Sequence, residues 1–200
     1  VFLLATTNQN KIEEIRKILP NFPFEGVSKF LNEWYVEETG STFEENAILK
    51  AEKAAVYFGM IAIADDSGLE VKALDSFPGV QSARFMINAL YEEKMRYILD
   101  RMVPYQSLEE RAARFRTVVA FFDPLRNRKQ CFEGIVEGSL SFSIKGNRGF
   151  GYDPIFIPNG FENTFGELPE EIKNSFSHRA RAFKKLRSWM NETKYLDWMA

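Results

Sequence analysis

The sequence predicts an α/β protein: a mixed central sheet flanked by helices, with a cleft. Three observations carry this. Strand-like and helix-like segments alternate through the first half of the chain. Between Arg114 and Ile144 strand follows strand with no helix between, which reads as antiparallel. A last amphipathic helix then covers Arg179 to Met190. Two hundred residues can bury a sizeable core. No repeat, low-complexity tract or linker interrupts them, so residues 1–200 are read as a single domain.

Each element has a local cause. Phe2 to Ala5 is a short apolar strand. Lys11 to Leu19 places Ile12, Ile15, Ile18 and Leu19 on one helical face, and Pro20 stops it. Ser41 to Phe58 is a second helix, in which Ser41–Glu44 and Thr42–Glu45 both fit a capping box. Its apolar stripe is Phe43, Ala47, Ala51, Ala54, Ala55 and Phe58, and Gly59 is a C-terminal stop. Met60 to Ala64 is a buried strand that ends in Asp65-Asp66 and a Ser67-Gly68 turn. Tyr91 to Met102 is a helix, and Arg114 to Phe122 a strand closed by Asp123-Pro124. Gln130 to Ile144 reads as two strands broken at Gly138, and Pro154 to Ile157 as a short strand.

Composition narrows the function. A net charge of −2 gives no global basic field, which argues against a nucleic-acid partner. No apolar run reaches membrane-spanning length, and no signal-peptide pattern is visible. The one cysteine, Cys131, permits no intrachain disulfide. These features predict a cytoplasmic protein without a membrane partner. The one histidine, His178, excludes multi-His metal sites. Nineteen phenylalanines point to an aromatic core or an apolar subunit contact.

Five segments hold groups able to do chemistry. Asp65 and Asp66 follow a strand, where ligands sit in α/β folds. Two carboxylates there are hard oxygen ligands suited to Mg²⁺ and phosphate chemistry, or else a solvated turn. Thr6, Thr7, Asn8, Gln9, Asn10 and Lys11 join the first strand to the first helix. That junction offers backbone N–H groups, the positive helix end and a point charge, a natural phosphate cradle or an ordinary capped start. It lacks the Gly-Lys-Ser/Thr ending of a Walker loop. Glu37 and Glu38 could complete a metal shell, and Asn46 and Lys50 share one helical face toward phosphates or water. In Gly149–Pro154, glycines flank Phe150, which could stack on a base while Asp153 accepts from its edge. Lys173, His178 and Arg179 are donors able to read carbonyl oxygens, or a solvated helix start behind Ser177.

In this order and spacing the segments resemble the inosine triphosphate pyrophosphatases, which hydrolyse deaminated purine nucleoside triphosphates (ITP, dITP, XTP). The resemblance runs from Ala5-Thr6-Thr7-Asn8 and Lys11 through Glu37-Glu38-Thr39-Gly40, Thr42-Phe43 and Glu45-Asn46-Ala47. It continues in Ala64-Asp65-Asp66-Ser67-Gly68-Leu69, Pro78-Gly79-Val80, Ser82-Ala83-Arg84-Phe85, Gly149–Pro154 and Ser177-His178-Arg179. It implies a mixed sheet in two lobes, a Mg²⁺-dependent active site in the cleft between them, and a homodimer. By resemblance Thr6 to Lys11 bind the triphosphate. Glu38 and Asp66 are the metal ligands, with help from Asp65. Asp66 is also the proton acceptor, and Ser67 a substrate contact. Phe150, Gly151, Tyr152, Asp153, Lys173, His178 and Arg179 form the base pocket. Two positions depart from the family pattern: Thr7 replaces a usual glycine, and Asn147-Arg148 stand where small residues are more usual. The competing readings are a nucleotide sensor without hydrolysis and a pyrophosphatase for modified pyrimidine nucleotides.

Overall fold

A computed structural model describes residues 1–31 and 33–195. In chain order they form β1 (Phe2–Leu4), α1 (Gln9–Ile18), β2 (Phe24–Gly26), α2 (Phe43–Phe58), β3 (Ala62–Val71), β4 (Phe77–Pro78) and α3 (Tyr91–Arg101). There follow β5 (Ala112–Asp123), β6 (Arg128–Leu140), β7 (Phe156–Pro158), α4 (Glu170–Phe176) and α5 (His178–Glu192). The strands make one seven-stranded sheet in the order β2-β1-β3-β5-β6-β7, with β4 paired to β3. It is mixed: β1 runs parallel to β2 and β3, while β3–β4 and β6–β7 are antiparallel. The described residues cluster into two compact units, and β3, β5 and β6 each contribute residues to both.

The first unit comprises Val1–Asp66, Thr117–Gly134 and the described residues from His178 on. Its strand β1 is buried along its whole length, which is why it reads as an unbroken apolar run. Asn8 caps α1, its Oδ1 accepting the Lys11 N–H, so the helix starts at Gln9, two residues before the expected Lys11. Ile12, Ile15 and Ile18 enter a core with Phe2, Phe121 and Phe183. Of the two overlapping capping boxes the Thr42–Glu45 one forms on α2, and Gly59 ends that helix in the left-handed region at φ 64°. The second unit, Ser67–Arg116 and Ile135–Ser177, has its own core around Leu69, Ile98, Phe115, Phe156 and Phe165.

Two expectations are corrected. The strand expected to stop at Ala64 runs on as β3 to Val71, so Asp65, Asp66, Ser67 and Gly68 lie within a strand and not in a turn. The Asp65 and Asp66 carboxylates meet Lys11 and Arg179 on one side of the strand and Asn46 and Lys50 on the other. The break expected at Gly138 is absent as well: β6 passes through it. Glycine is there for close approach, since a Cβ at 138 would stand 2.2 Å from the Ile157 carbonyl oxygen of β7. Short β2 and β4 and the seven-residue α4 carry too little periodicity to be read from sequence.

Helix α5 seats on β6 at Gly134 in the same way. A Cβ there would lie 2.0 Å from the His178 carbonyl oxygen and 2.7 Å from the Ala182 nitrogen, both backbone atoms. Gly134→Ala should therefore destabilise the protein by about 3 kcal/mol, the upper range for overpacking. Urea unfolding measures this, and a loss within experimental error would show that α5 does not lie this close.

Candidate active site

In the first unit, the β1–α1 connection holds the six sequence-predicted phosphate residues. Thr6 Oγ1 accepts the Asn8 N–H at 3.1 Å, which tightens the loop ahead of the helix. Thr7, Asn8, Gln9 and Asn10 are exposed at the positive end of α1. Gln9 turns aside to Ser28 Oγ at 3.3 Å. Lys11, one turn into the helix, sends Nζ to Asp65 Oδ2 at 2.9 Å.

Adjacent residues of a strand face opposite ways, and this separates the two aspartates of β3. Asp65 Oδ2 receives Lys11 and also the Arg179 guanidinium of α5 at 3.4 Å. Arg179 in turn pairs with Glu14 of α1. Two acids and two bases thus interlock, with Asp65, Arg179 and Glu14 all buried. Burial alone would raise the Asp65 pKa, but Lys11 and Arg179 outweigh it and hold the carboxyl well below its usual range. Burial lowers the Lys11 pKa against the pull of Asp65.

Asp66 meets α2 instead. Asn46 Nδ2 donates to its Oδ2 at 3.1 Å, and Lys50 Nζ lies 3.4 Å from its Oδ1. Lys50 also reaches Glu38 Oε1 at 2.6 Å. Asn46 Oδ1 accepts the Gly40 N–H at 2.8 Å, which docks the Glu38 loop onto the helix. A Cβ on Gly40 would stand 2.6 Å from that oxygen, so the loop needs glycine there. Burial raises the Asp66 pKa, with Lys50 opposing and Glu38 adding to the rise. Burial works against the Lys50 charge, but Asp66 and Glu38 win and raise its pKa.

Among the described residues no three His, Cys, Asp or Glu side chains gather as a metal cage. Glu38 and Asp66 nevertheless converge on one cation, the Lys50 ammonium, through oxygen atoms alone. That donor set suits a hard divalent ion that keeps several of its waters, as Mg²⁺ does. Asp65, expected to help hold the metal, spends its carboxylate on Lys11 and Arg179.

The second unit holds the Gly149–Asp153 turn. Gly149 and Gly151 take φ of 71° and 68°, where side chains are disfavoured. Asp153 Oδ2 accepts the Phe150 N–H at 2.8 Å and the Lys173 ammonium at 2.6 Å. The carboxylate expected to read a base edge thus braces the turn. Lys173 lies 5.0 Å from the Phe150 ring centroid, a cation–π contact. Tyr152 is buried, its hydroxyl donating to the Ser82 carbonyl at 2.6 Å, and burial pushes its pKa up. Arg148 donates to the Glu167 carbonyl at 2.8 Å. Ser67 is half-buried on β3.

The structure therefore unites Lys173, Phe150 and Asp153 in the second unit. His178 and Arg179, expected with them, open α5 in the first unit, where both are buried. Sequence reading missed Glu14 and the bracing part of Asn46. The signal for Glu14 was an acid inside an apolar stripe, between Ile12 and Ile15.

Fold and site together define an α/β protein with a buried acid–lysine centre beside a helix N-terminus. The chain belongs to the Ham1 family, whose model matches residues 2–189. A dITP/XTP pyrophosphatase of Dictyoglomus thermophilum is 40% identical over 198 residues, covering 96% of this chain and 94% of that one. That of Desulforamulus reducens is 42% identical over 191 residues, covering 94% of each. The Staphylococcus aureus Ham1 protein superposes with a TM-score of 0.85 at 38% identity, over 96% of this chain and 98% of that one.

Two outcomes are expected. Arg179→Met would leave Glu14 and Asp65 buried without their shared cation, at a cost of about 3–5 kcal/mol. Adding Glu14→Gln should recover part of that loss in urea unfolding, and strict additivity would contradict the network. Cys131, half-buried on β6, has its thiol pushed up to about 11 by burial and then Glu44, with Lys129 opposing. So little thiolate at pH 8 predicts slow iodoacetamide labelling of folded protein and fast labelling in urea. Equal rates would contradict the burial.

Proposed function

We propose that the chain is a nucleoside triphosphate pyrophosphatase for deaminated purine nucleotides, dITP and XTP as its relatives' names state, and ITP by the same base chemistry. One observation carries the reading in a Ham1 chain: half-buried Glu38 and buried Asp66 converge on Lys50 of α2, and Asp65, the residue before Asp66 on β3, holds Lys11. Glu38 and Asp66 are the residues that would hold Mg²⁺, whose chemistry when bound is to neutralise and polarise phosphoryl oxygens.

The residues divide the work. Asp66 accepts the proton of the water whose oxygen bonds to the α-phosphorus, as the bond to pyrophosphate breaks. Asn46 fixes that carboxylate through its other oxygen. Lys11 and the α1 N-terminus neutralise the departing charge. Lys11 can turn to phosphate without stranding Asp65, because Arg179 shares the same oxygen. For the base, Phe150 supplies a stacking face and Lys173 a donor to the carbonyl at purine position 6. A 6-amino purine would leave that donor unpaired, at about 1–3 kcal/mol. The reading includes the homodimer implied by resemblance, supported by exposed apolar side chains such as Ile87 and Leu90. It also places the protein in the cytoplasm, where nucleotide pools are cleansed.

Pyrophosphate release across dITP, XTP, ITP, dATP and dGTP tests the reading. The deaminated substrates should lead, and excess EDTA should stop turnover. Asp66→Asn should lose roughly 10²–10⁴-fold while folding normally. Near wild-type turnover by that folded variant would remove Asp66 from the chemistry. Full activity in EDTA would remove the metal.

A further inference from the structure

The Lys50 ammonium stands between two carboxylates, 2.6 Å from Glu38 Oε1 and 3.4 Å from Asp66 Oδ1. Neutral groups fix the frame around it. Asn46 holds Asp66 Oδ2 with its amide nitrogen and the Gly40 backbone with its oxygen, so the Glu38 loop and β3 are tied to one turn of α2. Helix α2 is itself pinned by the Thr42–Glu45 capping box and the Gly59 cap. Two acids held this way repel each other, and the Lys50 ammonium between them offsets that repulsion.

The same oxygens are the ones proposed above for the divalent ion. An oxygen that coordinates a divalent ion cannot also keep a short bond to an ammonium without pressing like charges together. Of the parts involved, the Lys50 side chain is the one built to move: a flexible four-carbon stem on a rigid helix. We propose that Lys50 is an internal counter-ion, displaced by the divalent cation and taken up in turn by a phosphate oxygen of the substrate. This inference rests on Glu38 and Asp66 being the metal ligands. Metal alone must drive Lys50 away from its anions; metal with phosphate gives it a new one. Cation and phosphate therefore favour each other's binding, reciprocally, through one side chain.

Calorimetric titration of Mg²⁺ into nucleotide-free wild type, Lys50→Met, Lys50→Gln and Glu38→Gln tests this, with Mg²⁺-dependent Tm as a second readout. Both Lys50 variants should bind Mg²⁺ about tenfold tighter than wild type, and Glu38→Gln should abolish binding. Saturating inorganic phosphate should tighten Mg²⁺ binding to wild type about fivefold or more, and to Lys50→Met far less. The wild-type arm needs no substitution, so a variant that fails to fold leaves a decisive measurement. Mg²⁺ affinity in wild type that ignores phosphate, or Lys50 variants that bind Mg²⁺ no tighter, overturns the counter-ion role while Glu38-dependent binding keeps the metal site. Binding that survives Glu38→Gln overturns both.

Discussion

Side chains on a strand alternate, and the consequence for β3 organises the first unit. Asp65 and Asp66 are neighbours in sequence, yet each needs its own buried counter-charge because they face opposite ways. Lys11 from α1 and Arg179 from α5 answer Asp65, while Asn46 and Lys50 from α2 answer Asp66. Three helices thus meet one strand through charge. Glu14 completes the Asp65 side, where one acid short or one base short would leave a buried ion alone. The two sides differ in kind. The Asp65 network is internally balanced. The Asp66 side gathers two acids around one lysine, a local excess of negative charge.

The second unit solves a different problem, presenting an aromatic face on a tight turn. Asp153 ties the Phe150 N–H to the Lys173 ammonium, and two left-handed glycines bracket the ring. Tyr152, between them, points inward to Ser82 and anchors the turn. Ser82 Oγ in turn accepts the Leu69 N–H of β3. The turn is therefore braced from within the second unit, through Tyr152, Ser82 and Leu69.

Much of this was legible in the sequence where the signal is local. The caps at Thr42 and Gly59, the isoleucine stripe of α1 and the alanine stripe of α2 all mark elements that formed. Glycines misled: Gly138, which serves close approach to β7, looks like one serving a turn, and Gly68 also lies inside a strand. Candidate site residues are proposed from type and motif, but their partners are not legible that way. Arg179 reads as a base donor from its place after His178, yet pairing across 114 and 165 residues assigns it to Asp65 and Glu14. Asp153 likewise looks like a free acceptor until Lys173, 20 residues on, arrives beside it. Long-range charge pairing leaves no periodic trace in a single sequence.

In the proposed reaction the carboxylate–lysine centre directs water to the α-phosphorus of a deaminated purine nucleotide. Mass spectrometry of the products from dITP in ¹⁸O-labelled water tests it most directly. The account predicts dIMP carrying one labelled oxygen and pyrophosphate carrying none. Label in the pyrophosphate, or release of dIDP with inorganic phosphate, would contradict it.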